Sequence, residues 1–183
     1  MLLVATFIVE LGAELAIAAK VDFTWMYHLF VVVEYSLISW YFSNIVDKKF
    51  RKVILGSIPF FVLVSLSISY WMYGFRSFPG MNINTEGILV SIISSYTLLN
   101  LPDATKYNRM VQHPDFWICF GWMAFFTGTF LLHGLYSYLH GLDRMQALEL
   151  FTWINRPLNI VLYSCLITGF LCVILRKSTL RSF

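Results

Sequence analysis

The amino-acid sequence predicts an all-α polytopic transmembrane helical bundle of about six helices, forming a single domain over residues 1–183. Three observations carry this expectation. Only 13% of the residues are charged and 58% are hydrophobic, whereas a soluble domain carries close to a quarter charged residues. Six continuous apolar runs recur along the chain, each long enough to cross a hydrocarbon core of about 30 Å at about 1.5 Å per helical residue. The lysines and arginines between the runs then fall mostly on one side of the membrane. The runs lack strict alternation, which argues against a membrane β-barrel.

The runs cover residues 2–18, 24–46, 53–73, 82–100, 116–138 and 153–175. The first ends in Ala16-Ile17-Ala18, which resembles a signal-peptide cleavage site. No cation precedes it, however, and Glu10 and Glu14 interrupt it, so a retained helix is expected. The second holds Glu34 about halfway along. The third contains Pro59, which is expected to kink it. The fourth is serine-rich, and Gly87, Ser91 and Ser95 form a small-xxx-small pattern suited to close helix packing. Gly121, Gly128 and Gly134 lighten the fifth run. In the sixth, Pro157 falls in the expected first turns, where proline is tolerated, and Cys165, Gly169 and Cys172 make a small-residue face.

With six spans, one side receives Lys48, Lys49, Arg51, Lys52, Lys106, Arg109, Arg176, Lys177 and Arg181, and the other Lys20, Arg76, Arg144 and Arg156, nine against four. Both termini lie on the richer side, which the positive-inside rule places in the cytoplasm. Trp25, Trp71 and Trp153 then fall near the outer interface, and Trp40 and Trp117 toward the inner one. The formal charge of +3 is thereby a topological signal, and no nucleic-acid partner is predicted. Cys119, Cys165 and Cys172 sit in or beside apolar runs without CxxC spacing, and read as small apolar side chains. The longest connection, near Leu101 to Asp115, has about fifteen residues, too few for a fused soluble catalytic or receiver domain. The expected location is a bacterial inner membrane.

Ionisable groups are expensive in lipid and normally face the bundle interior, a cavity or a partner. Glu10 lies near the middle of the first run, with Glu14 one turn on along the same face. By depth, Glu14, His28, Glu86, His133, Asn155, Arg156 and Asn159 fall in the outer half of the membrane, with His140 seven residues beyond His133. They suit a polar pocket open to the outside, for a small polar ligand, an ion or a lipid headgroup. They equally suit helix glue, with Arg156 neutralising a glutamate and the histidines bonded locally. Glu10 and Glu34 share their depth with no lysine or arginine, so the uncharged acid is favoured there. Such a pair can donate structural hydrogen bonds, carry a proton or bind a cation. No HExxH or ExxH pair and no GxSxG elbow occurs, so no metal site and no cofactor are predicted, and catalytic residues remain unassigned.

Several motifs resemble a family of small, uncharacterised multi-helix membrane proteins common in Bacteroidota. They are Phe7-Ile8-Val9-Glu10-Leu11, Trp25-Met26-Tyr27-His28-Leu29 through Val33-Glu34-Tyr35, Asn84-Thr85-Glu86, Phe116-Trp117 through Thr127-Gly128-Thr129-Phe130, and Trp153-Ile154-Asn155 with Leu158-Asn159-Ile160. The resemblance draws attention to Glu10, Glu34, Glu86, Asn155 and Asn159. It implies no mechanism, because that family has no established activity. Arg156-Pro157 is peculiar to this chain.

Three functional classes follow. The first is a membrane-embedded sensory or signalling module with an outward-facing polar pocket, acting with a separate cytoplasmic signalling protein. The second is a proton or cation channel, transporter or pore-forming effector that uses the intramembrane glutamates. The third is an intramembrane lipid-acting enzyme, which needs a nucleophile or metal within about 3 Å of a glutamate or histidine. Membrane lipid, and further copies of the chain in a homo-oligomer, are the other expected partners.

Overall fold

A computed structural model describes residues 2–19, 24–75, 79–101, 110–140 and 144–181. Among them it is all-helical and contains no strand. The helices are α1 (Leu2–Ala19), α2 (Thr24–Ser43), α3 (Lys48–Ile68), α4 (Gly80–Leu99), α5 (Pro114–His140) and α6 (Arg144–Arg181). A π-helical turn, Ser69–Tyr73, continues α3, and a 3-10 turn, Met110–Gln112, precedes α5. The chain divides into two compact units, Met1–Glu86 and Gly87–Phe183, with the division inside α4.

Three segments are long and apolar enough to cross a membrane: Lys48–Met72, Pro114–Leu132 and Glu149–Leu175, of 25, 19 and 27 residues. They mark a membrane protein. Phe60 and Leu63 on α3, Leu131 on α5, and Ile160, Ile167 and Ile174 on α6 are exposed. Apolar surface of this extent is a liability in water, and it is the expected outer face of a helix in lipid.

In the first unit α1 packs on α2, and α2 and α3 form an antiparallel hairpin. The buried stripe of α2 is His28, Val31, Tyr35, Ile38 and Phe42, whose alternating spacing of three and four keeps one helix face toward its neighbours. Tyr35 anchors the hairpin at mid-length: its hydroxyl lies 2.7 Å from Ser57 Oγ and its ring centroid 4.2 Å from that of Phe61. Asp47 caps α3, its carboxylate accepting from the backbone N–H groups of Lys49 and Phe50 at 3.1 and 3.3 Å. That cap starts α3 at Lys48, five residues before the expected onset at residue 53. The helix runs on through Pro59 without a break.

In the second unit small residues let the helices approach. Along α4, Gly87 lies against Phe126, Ser91 Oγ is 3.4 Å from Thr127 Oγ1, and Ser95 Oγ donates to Met123 Sδ at 3.4 Å. On α5 and α6 the contact is tighter. A Cβ at Gly121 would stand 2.8 Å from Cys165 Cβ, and one at Gly169 would stand 3.1 Å from the Pro114 carbonyl oxygen. Only glycine lets these backbones come so near.

One expectation is overturned here. The sixth helix begins at Arg144, nine residues before the expected start at residue 153, because Met145, Gln146, Ala147, Leu148 and Glu149 are strong helix formers. Pro157 is therefore interior to α6 and leaves the Trp153 carbonyl without its helical donor.

A buried polar cluster as the candidate functional site

The site is built within the first unit, from the start of α2, the π-turn after α3 and the first turns of α4. The hairpin brings residue 28 opposite residue 69, and α4 returns Asn82 to the same end. His28, Ser69 and Asn82 are fully buried, and Ser65 and Glu86 are 1% exposed. His28 Nδ1 lies 2.7 Å from Ser69 Oγ. Asn82 Nδ2 donates to the same Ser69 oxygen at 2.8 Å and to the Ser65 carbonyl at 3.2 Å. A carbonyl can only accept, so this second bond fixes which end of the amide faces α3. Ser69 Oγ thus takes part in both bonds, with Asn82 Nδ2 and with His28 Nδ1.

The π-turn shapes the rim of the cluster. Its five residues end at Gly74, with φ of 52°, whose N–H bonds the Ser69 carbonyl. Phe75 follows with φ of 59°, a left-handed conformation uncommon for a phenylalanine. It places its ring edge-on to His28, 5.2 Å between centroids. π-turns of this kind occur disproportionately at functional sites.

Asn82 Oδ1, Glu86 Oε1 and Ser65 Oγ are buried, with no hydrogen-bond partner among the described residues. Glu86 stands one turn beyond Asn82 on the same face of α4. Glu34 on α2 is half-buried and an electrostatic neighbour of Glu86.

Of the residues singled out from the sequence, His28 and Glu86 are buried in this unit and Glu34 is half-buried there. Glu10 and Glu14 fall on α1 and His133 and His140 on α5, with their side chains outside the described residues. Asn155, Arg156 and Asn159 belong to α6 of the second unit. There Asn159 Nδ2 donates to the Asn155 carbonyl at 2.9 Å, a bond within the helix, and Arg156 is exposed. The sequence reading passed over Ser65, Ser69 and Asn82, which carry the bonding of the cluster. Their signal was a serine pair one turn apart in an apolar run and an asparagine opening the next run.

Chemically, the Ser69–His28 pair has the separation of a nucleophile and its base. Both partners are sealed from solvent, and Asn82 Nδ2 donates to the same Ser69 oxygen. Among the described residues no group of three or more histidines, cysteines and acids is placed to hold a metal ion. The orphaned oxygens instead suit a ligand that brings positive charge or hydrogen-bond donors. Compared with family models, curated proteins and solved structures, the chain finds no significant match. The resemblance to Bacteroidota membrane proteins thus stands on the quoted motifs alone.

Proposed function

We propose that this chain is a membrane-embedded sensory module that receives its input at the His28–Ser69–Asn82–Glu86 cluster and passes it to a separate cytoplasmic partner. In this reading all six helices span a bacterial inner membrane, both termini face the cytoplasm, and the cluster lies toward the outside. The observation that carries it is the set of buried, unpartnered oxygens on Asn82, Glu86 and Ser65. Unpaired buried polar atoms cost about 1–3 kcal/mol each, and a ligand that satisfies them repays that cost.

The exposed cations Lys48, Lys49, Arg51 and Lys52 support the orientation. They crowd the start of α3, where the helix dipole disfavours positive charge, so topology or docking accounts for them better than helix stability does. The opposite end of the same hairpin carries the cluster. A cytoplasmic partner meeting the basic turn would therefore read a movement of α2 against α3.

A second reading, a proton or cation path, is favoured by one observation, the electrostatic proximity of Glu34 to Glu86. The deciding experiment is flux in liposomes carrying the full chain. The sensory reading expects proton and cation leak at the level of empty liposomes. Flux in the parent chain that is abolished by Glu34→Gln would instead make it a conductor.

A further inference from the structure

We infer that the cluster binds a monovalent metal cation of the sodium class between α3 and α4, held by Asn82 Oδ1, Glu86 Oε1 and Ser65 Oγ. This inference rests on the reading of the cluster as an input site and names the ligand that the site takes.

Three features point to it. The first is the chemistry of the orphans. All three are oxygens, one from an amide, one from a carboxylate and one from a hydroxyl, and all are buried without a hydrogen-bond partner among the described residues. Oxygen donors of this mixed kind suit hard cations, whereas zinc and copper select nitrogen and sulfur.

The second is orientation. Asn82 Nδ2 is committed to the Ser65 carbonyl and to Ser69 Oγ, at 3.2 and 2.8 Å. The amide cannot turn over without losing the bond to the Ser65 carbonyl, because its oxygen cannot donate. Oδ1 is therefore held available by the network that packs the helices. Ser65, whose carbonyl takes one of those bonds, presents its hydroxyl from the same residue of α3.

The third is charge. Glu86 is 1% exposed and stands one turn from Asn82, and its electrostatic neighbour is another acid, Glu34. A single positive ion at Glu86 would pair with its carboxylate in a site too buried for an uncompensated charge. The His28–Ser69 pair then forms the outer wall of the site and contributes no ligand.

The test uses the purified full chain in lipid nanodiscs, titrated with sodium chloride against choline chloride at matched ionic strength, with thermal unfolding and calorimetry as readouts. Sodium should raise the unfolding temperature saturably, by mass action on the folded state, at concentrations up to about 100 mM, and choline should not. Glu86→Gln should abolish the sodium-dependent shift. Ser65→Ala removes an unpartnered hydroxyl and leaves the carbonyl that Asn82 needs. It should keep the parent stability in choline while weakening sodium binding about tenfold or more.

Equal shifts in sodium and choline would overturn the site, as would sodium binding unchanged in both variants. A response to calcium alone would overturn the monovalent class. Cysteine reactivity at Lys49→Cys, measured with and without sodium, separates the two levels of the proposal. Sodium binding without any change there upholds the cation site and removes the sensory reading.

Discussion

His28 Nδ1 and Ser69 Oγ lie 2.7 Å apart, both buried, although 41 residues separate them in the chain. The bond closes the end of the α2–α3 hairpin remote from the Asp47 turn. The same serine oxygen also accepts from Asn82, so one hydroxyl joins three successive elements. Its removal should be felt by all of them.

Ser69→Ala should destabilise the first unit by about 1–3 kcal/mol, because it strands the imidazole and half of the Asn82 amide in a buried site. In a double-mutant cycle with His28→Ala, unfolding measured in mild detergent should show the two losses to be strongly non-additive. Additive losses would mean that the bond does not stabilise the hairpin.

Gly121→Ala should weaken the α5–α6 contact by about 1–3 kcal/mol through overpacking, since the new methyl would stand 2.8 Å from Cys165 Cβ. Cys165 offers no flexible end to move aside. Cys165→Gly in the same chain should recover most of the lost thermal stability, and recovery is the diagnostic result.

Ser69 should resist fluorophosphonate probes in native membranes, because it and His28 are closed off from solvent. Stoichiometric labelling at Ser69, detected by mass spectrometry, would revive the lipid-acting enzyme.

The proposed topology predicts opposite labelling of the two ends of α3. In intact cells a membrane-impermeant maleimide should modify Met72→Cys, on the exposed π-turn, and should reach Lys49→Cys only after the membrane is opened. The reverse pattern would invert the molecule.

Helix number and type were legible from apolar run length, since a continuous apolar run is what the bilayer selects. Helix boundaries were less so, because lipid thickness limits the apolar run and not the helix. α3 extends outward to its Asp47 cap through four cations, and α6 extends back to Arg144 through a polar but helix-favouring stretch. The inward face of α2 was also hidden. Exposed Leu29, Val33 and Trp40 on the same helix are as apolar as the stripe from His28 to Phe42, so no amphipathic contrast marks it.

Charge made Glu86 and His28 stand out as expensive residues in an apolar helix. Ser69 and Asn82 did not stand out, because their importance comes from the hairpin bringing residues 28, 69 and 82 to one end. Arg156, read by depth as a neutralising partner, is exposed on α6.

The length of α6 has a mechanical consequence. Its 38 residues reach about 57 Å at 1.5 Å per residue, well beyond an apolar layer of about 30 Å. Such a helix is longer than a bilayer's apolar layer is thick, and at Pro157 it lacks one backbone bond. That joint divides the rod into the stretch before Trp153 and the stretch from Leu158 on, which is held against α5 where Leu158 meets Gly128, Cys165 meets Gly121 and Gly169 meets Ile118.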